Sequence, residues 1–140
     1  MEKTREIVTR VYAELLNQRR LELVSELVAE DAVWAISPFG VMEGRRAIEE
    51  LMRELLLAFP DVHYFVERMV VEEDQAAVHW RTTATHLGAF LGVAGTGRPA
   101  PCCGVTWYRV EDGRVKECRG VLDAFGVLQR IGAIPELVRL

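Results

Sequence analysis

Apolar residues in the first sixty positions recur every three or four residues, which is the period of an amphipathic helix. The first predicted helix, up to about Asn17, has Thr4 as its expected cap, and a second short helix follows it. One side of the first helix carries Ile7, Val8, Val11, Tyr12, Leu15 and Leu16, and the second buries Leu21, Val24, Leu27 and Val28. A short strand is expected at residues 31–36, followed by a turn at 37–40. A third helix is expected at residues 44–59, and Pro60 stops it.

After Pro60 the period of the pattern changes from 3.6 to two, which is typical of β-strands. The predicted strands cover residues 62–67, 76–86, 102–110 and 114–122, and a last short helix covers residues 124–131. Residues 87–99 form a glycine-rich loop without the Lys-Ser/Thr ending of a phosphate-binding loop, so we expect it to act as a flap.

Helices followed by an antiparallel meander are typical of an α+β fold rather than of repeated βαβ units. We therefore expect a single domain over residues 1–140, with three N-terminal helices packed on a curved, mainly antiparallel sheet. Such a cone-shaped α+β barrel leaves an open mouth, which is a natural pocket for a small molecule.

The charge distribution narrows the classes of partner. The chain has 17 basic and 21 acidic residues, a net charge of −4, and its basic residues are scattered. Nucleic-acid binding is not expected from this pattern, because it needs a clustered basic surface. No run of about 18 apolar residues is present, so we do not expect membrane insertion. The first residues, MEKTREIVTR, are charged and periodic, so we expect no signal peptide and a cytoplasmic location.

The cysteines indicate neither a disulfide framework nor a metal site. Cys102, Cys103 and Cys118 are odd in number, two of them are adjacent, and no histidine lies at ligand spacing from them. We expect structural cysteines, no metal and no cofactor.

Four segments in order carry a resemblance to a known family. They are GRRAIEELMRELLLAFPDV, VHWRTTATHLGAFLGVAGTGRP, YRVEDGRVKE and LDAFGVLQRIG, and they cover most of the chain from Glu43 to Gly132. The chain resembles the SnoaL-like polyketide cyclases, within the nuclear-transport-factor-2-like and ketosteroid-isomerase-like superfamily. The resemblance implies an intramolecular aldol reaction without metal or organic cofactor.

The same resemblance assigns the catalytic acid/base carboxylate to Asp123 and places His86 at the mouth of the pocket. Apolar neighbours would raise the pKa of such a carboxyl and make it a better base. Asp123 also directly precedes a short helix, where it could serve as the N-cap instead. His86 could equally hydrogen-bond to the loop that follows its strand.

The isomerase branch of the superfamily uses two acids and a tyrosine, and this chain lacks both acids. The general base of that branch lies in an Asp-Pro-x-Gly turn, where this chain has Ser37, and its oxyanion-hole Asp corresponds to Thr106. Its oxyanion-hole tyrosine has a counterpart in Tyr12. Steroid isomerase activity is therefore not expected.

The remaining binding candidates are four aromatic residues and one arginine. Trp80, Tyr108, Tyr12 and Phe90 could line a pocket for a flat apolar ligand, or could simply pack the core. Arg119 could face inward, where it would favour a weakly anionic ligand or pair with Asp123, or it could face solvent. The opposite parity of the same strands carries apolar residues, which suggests a homodimer through the outer face of the sheet.

Two functions remain open at the level of the sequence. The first is a cofactor-free acid/base enzyme of the cyclase or isomerase type that acts on an apolar carbonyl compound, with Asp123 as base. The second is a non-catalytic ligand-binding or dimerisation domain of the same fold.

Overall fold

Helices occupy the two ends and the middle of the chain in the computed structural model, which describes residues 1–136. The helices are α1 (Glu2–Arg10, continued by a π-helical segment, Val11–Leu16), α2 (Val24–Leu27, preceded by a 3-10 turn, Leu21–Leu23), α3 (Arg45–Ala58) and α4 (Ala124–Arg130). The strands are β1 (Val28–Ser37), β2 (Gly40–Glu43), β3 (His63–Glu72), β4 (Gln75–Thr83), β5 (Cys102–Glu111) and β6 (Arg114–Leu122). Within residues 1–136, no helix has the length and apolar character needed to cross a membrane.

The strands form one open six-stranded sheet in the order β2-β1-β6-β5-β4-β3. Strands β3 to β6 pair antiparallel in sequence order, as predicted, and β1 joins them by pairing parallel to β6. The helices cover the inner face of this sheet, so the predicted α+β architecture with a mainly antiparallel sheet is confirmed.

Three local predictions were wrong. Strand β1 already begins at Val28, which therefore belongs to the sheet and not to the second helix. Thr4 lies inside α1 and its hydroxyl donates to the carbonyl oxygen of Glu73 at 2.7 Å, because α1 begins earlier, at Glu2. Strand β4 ends at Thr83 rather than at His86, because the chain turns there into the loop at residues 84–101.

Alternation along the strands separates a buried inner face from an exposed outer face. In β4 every second residue from Ala76 to Thr82 is buried, whereas the residues between them, including His79, are exposed. The inner face packs against Val8, Val11 and Leu15 of the first helical segment. A smaller apolar cluster around Phe59 and Phe90 lies near the loop at residues 84–101.

Backbone contacts hold this loop against the end of α3. The amides of Leu87 and Gly88 both donate to the carbonyl oxygen of Ala58, at 3.0 Å each. Gly88 is required by this approach, because a Cβ at that position would lie 2.3 Å from the carbonyl oxygen of Leu57. The loop therefore forms part of the wall above the inner face of the sheet.

Candidate active site

An apolar cavity of about 120 Å³ lies between the inner face of the sheet, α3 and the loop at residues 84–101. Its wall includes aromatic residues from many segments of the chain, among them Tyr12, Trp34, Phe59, Trp80, Phe90 and Tyr108. Among residues 1–136, no side chain of Asp, Glu, His, Lys or Arg lines it. The polar groups of the wall are instead hydroxyls, indole N–H groups and thiols.

Two tyrosine hydroxyls meet at the cavity wall. The hydroxyl of Tyr108 on β5 donates to the hydroxyl of Tyr12 at 2.7 Å, and the two rings meet edge to face, with centroids 6.0 Å apart. Tyr12 lies in the π-helical turn, where the amide of Asn17 donates to its carbonyl oxygen five residues back, at 2.9 Å. Such π-turns frequently occur at functional sites. We call these two residues the tyrosine pair.

Burial keeps the tyrosines protonated. It raises the pKa of Tyr108 well above that of free tyrosine, and it raises the pKa of Tyr12 although the hydrogen bond from Tyr108 partly offsets the effect. Burial also raises the pKa of Tyr64, a third tyrosine of the wall, to about 12. At neutral pH these side chains are therefore neutral and can donate hydrogen bonds.

A second polar contact fixes Trp80 in the wall. Its indole Nε1 donates to the hydroxyl oxygen of Thr106 at 3.0 Å. The ring lies directly over Gly104, where a Cβ would come within 2.4 Å of it. Trp80 is thus held flat against β5, and Thr106 is occupied as an acceptor.

The sequence analysis did not identify Trp34, which also lines the cavity. The available signal was its parity on β1, since Ala32 and Trp34 are buried whereas Val33 between them is exposed. The predicted strand at residues 31–36 was too short to reveal that alternation. Tyr12, Trp80, Phe90, Thr106 and Tyr108 line the cavity too, and their role in binding remains a prediction.

Asp123 caps α4 instead of lining the cavity. Its side chain accepts a hydrogen bond from the amide of Gly126 at 3.0 Å, and its carboxylate lies 3.8 Å from Nη1 of Arg130. The Asp123 side chain is 42% exposed. This is the capping geometry that the sequence had left open as the alternative to a base in the pocket.

His86 is fully buried beside the cavity rather than at its mouth. Its Nδ1 accepts a hydrogen bond from the amide of Thr96 at 3.2 Å, and its ring centroid lies 5.9 Å from that of Phe59. The backbone carbonyl of His86 also accepts from the amides of Thr96 and Gly97. His86 therefore joins the two ends of the loop; it does not line the cavity itself, but it packs against Phe59, which does.

Two further candidates lie away from the cavity. Arg119 points to the outer face of the sheet, where its Nε contacts a carboxylate oxygen of Glu117 at 3.4 Å. Arg119 therefore faces solvent, which is one of the two alternatives that the sequence left open, and Asp123 lies near Arg130 instead of Arg119. Ser37 is exposed at the end of β1, before a cis peptide bond to Pro38. Within residues 1–136, no group of three or more metal-ligating side chains comes together.

The capping role of Asp123 leads to a stability prediction. Asp123→Ala should lower the free energy of unfolding by about 1 kcal/mol, because the amide of Gly126 loses its acceptor. Asp123→Asn should cost much less, since asparagine caps helices nearly as well. Urea denaturation of both variants measures the difference, and equal losses would contradict the role of Asp123 as a cap.

The likeness to solved structures extends over almost the whole chain. A proposed SnoaL-like polyketide cyclase from Jannaschia sp. CCS1 matches with a TM-score of 0.88 and 26% identity, covering 96% of this chain and 94% of the other. AclR, a proposed hydroxylase from Streptomyces galilaeus, matches with a TM-score of 0.86 and 28% identity, covering 99% and 87%. IdmH, a proposed polyketide cyclase from Streptomyces antibioticus, matches with a TM-score of 0.81 and 28% identity, covering 92% and 98%.

The sequence itself gives the same assignment. Among curated proteins none matches it significantly. The family model for the SnoaL-like polyketide cyclases, however, matches residues 6–131, which include every helix and strand of the fold apart from the first turn of α1. The chain therefore belongs to the SnoaL-like polyketide cyclase family.

Proposed function

We propose that the chain binds a flat, mainly apolar carbonyl compound in this cavity and closes a carbon ring in it without a cofactor. The observation that carries the proposal is the tyrosine pair, two protonated hydroxyls in a mainly apolar cavity. Hydroxyl donors in a site that excludes water stabilise negative charge on oxygen far better than water does. Family membership and the neighbouring structures support the same class of chemistry.

The proposed reaction is an intramolecular aldol addition. The enol carbon of one part of the substrate attacks the carbonyl carbon of another part, and a carbon–carbon bond forms. The carbonyl π electrons move to its oxygen, which accepts a hydrogen bond from the hydroxyl of Tyr12, and Tyr108 supports that donor by its own hydrogen bond to Tyr12. The enol hydroxyl gives up its proton, and the new alkoxide takes one up, so no net proton leaves the substrate. The apolar walls hold the two parts close together, which lowers the entropic part of the barrier.

A suitable probe is the triketone 2-methyl-2-(3-oxobutyl)cyclohexane-1,3-dione, which closes and loses water to give a bicyclic enone. We expect the protein to accelerate the appearance of enone absorbance above the buffer rate, with saturation as the triketone concentration rises. Addition of 1-tetralone, an aromatic ketone that cannot cyclise, should inhibit competitively. The absence of acceleration, or an acceleration that 1-tetralone does not reduce, would contradict the proposal.

The family resemblance assigns the base to Asp123, and the same assay tests that assignment. Asp123→Asn keeps the cap, so a change in rate would not be obscured by loss of stability. A base at this position predicts loss of ring closure at an unchanged melting temperature. The tyrosine-pair mechanism predicts an unchanged rate. His86→Asn tests the suggested catalytic role of His86 in the same way.

A non-catalytic binding protein is the second candidate function. The observation that favours it is the lack of ionisable acids, histidines and basic groups along the cavity wall within residues 1–136. A binding protein would take up 1-tetralone, as measured by calorimetry, without accelerating closure of the triketone. Binding together with acceleration would exclude it.

We further propose a homodimer through the outer face of the sheet. Apolar side chains are exposed there, including Val105 on β5 and Val121 on β6, and Trp107 lies beside them. Glu117 and Arg119 on the same face carry opposite charges, which a two-fold axis could match between two copies.

Analytical ultracentrifugation tests this interface. Val121 is 63% exposed, so Val121→Asp should leave the fold intact and shift the protein from dimer to monomer. Leu57→Asp is the matched control, because Leu57 is 74% exposed on α3, away from the outer face. A monomeric wild-type protein, or a dimer that survives Val121→Asp, would contradict the proposal.

A further inference from the structure

The indole N–H of Trp34 is buried in the cavity wall without a hydrogen-bond partner among residues 1–136. Trp34 is only 7% exposed, so bulk solvent does not satisfy this donor either. The other two tryptophans are paired: Trp80 donates to Thr106 at 3.0 Å, and Trp107 donates to Gln75 at 2.9 Å. A buried donor left unpaired is costly, and such groups in native proteins usually have a specific reason.

The position of Trp34 relates it directly to the tyrosine pair. Cross-strand pairing places Trp34 opposite Cys118, and Cys118 opposite Tyr108. The three residues form one row on the inner face, and at the usual strand spacing its two ends lie roughly 10 Å apart at Cα. The row therefore has the indole N–H of Trp34 at one end and the tyrosine pair at the other, with the sulfur of Cys118 between them.

The neighbouring protein groups do not provide an acceptor for Trp34. A thiol such as that of Cys118 is a weak acceptor, and burial raises the pKa of Cys118, which keeps it a neutral thiol. The hydroxyl of Thr106 already accepts from Trp80. The described residues thus leave this N–H unpaired, and a ligand in the cavity that Trp34 lines is the source of an acceptor that we consider.

We infer that the indole N–H of Trp34 is a second donor of the ligand site, and that the ligand carries two acceptor oxygens, one at the tyrosine pair and one at Trp34. This inference rests on the proposed binding of a carbonyl compound and makes its substrate class narrower. The site would select compounds with two carbonyl oxygens on different edges of a flat framework over compounds with one. Trp34 would then determine specificity by leaving a buried donor unpaired when the second oxygen is missing.

Two bicyclic probes of the same shape test this selectivity. N-methylphthalimide has two carbonyl oxygens, and 2-methylisoindolin-1-one has one. Calorimetric titration of the wild-type protein should give about fivefold to tenfold tighter binding of N-methylphthalimide, the effect of one net hydrogen bond. Trp34→Phe should abolish that preference, whereas Trp107→Phe on the outer face should keep it.

A nuclear magnetic resonance readout on the wild-type protein does not depend on the folding of a variant. The indole ¹H–¹⁵N signal of Trp34 should move downfield with N-methylphthalimide but not with 2-methylisoindolin-1-one. Three results would overturn the inference and leave the proposed function standing. They are equal affinities for the two probes, a preference that survives Trp34→Phe, and an indole signal that N-methylphthalimide leaves unchanged because water already satisfies the N–H. If neither probe binds at millimolar concentration, both the inference and the proposed ligand site are contradicted.

Discussion

Tyr12→Phe is expected to slow closure of the triketone by about a hundredfold, which is typical for the loss of one donor to a developing oxyanion. The ring and its packing stay in place, so the affinity for the apolar framework of the substrate should change far less than the rate. The measurement is the initial rate of enone formation at saturating and at low triketone concentration. A rate constant within a factor of three of the wild type would rule out the tyrosine pair as the donor to the oxyanion.

Two companion variants show whether the effect belongs to the pair. Tyr108→Phe removes the donor to Tyr12, and the double variant should be little slower than either single one, because the hydroxyls act together. Tyr64→Phe is the matched control. Tyr64 also lines the cavity, with its ring centroid 5.8 Å from that of Tyr12, but the mechanism does not use its hydroxyl. Its removal should leave the rate nearly unchanged.

Gly104→Ala is expected to be the most destabilising single-methyl change in the sheet. The added Cβ would lie 2.4 Å from the Trp80 ring and 2.7 Å from the carbonyl oxygen of Val121. The ring must then tilt away from β5, which strains its hydrogen bond to Thr106. Overpacking of this kind costs about 1–3 kcal/mol in the free energy of unfolding, and more when backbone atoms must shift.

Urea denaturation measures this loss, and Val70→Ala provides the comparison. Val70 lies on the edge strand β3 and is 61% exposed, so its truncation should change the free energy of unfolding by less than about 0.5 kcal/mol. If Gly104→Ala unfolds at the same urea concentration as the wild type, Trp80 does not lie against β5 as described.

Sequence periodicity identified the pocket residues that lie well inside a strand or a helix. Trp80, Thr106 and Tyr108 lie inside long strands, where the alternation of buried and exposed positions settles the face. Tyr12 lies on the buried stripe of a helix that continues for another turn. Periodicity is sufficient in these places because a residue's neighbours fix the direction of its side chain.

The same reasoning could not place Asp123 or Ser37. Both lie at the end of a strand, where the chain turns and parity no longer determines direction. His86 follows the last residue of β4 by three positions, so its direction is set by the loop. Arg119 does lie within a strand, but its neighbours on β6 mix polar and apolar residues on both faces. The position of such groups depends on tertiary contacts that a single sequence does not contain.

The parallel pairing of β1 with β6 has a consequence for how the cavity forms during synthesis. Strand β6 lies between β1 and β5, so it joins the first part of the chain to the meander. Trp34 and Tyr108 come into the same row only when Cys118 is inserted between them. A nascent chain that ends before β6 therefore has no finished pocket, because β6 supplies the distant contacts that join β1 to the meander. The binding site is completed in one late step, and fragments released early from the ribosome would expose its aromatic walls to the chaperones that bind unfolded chains.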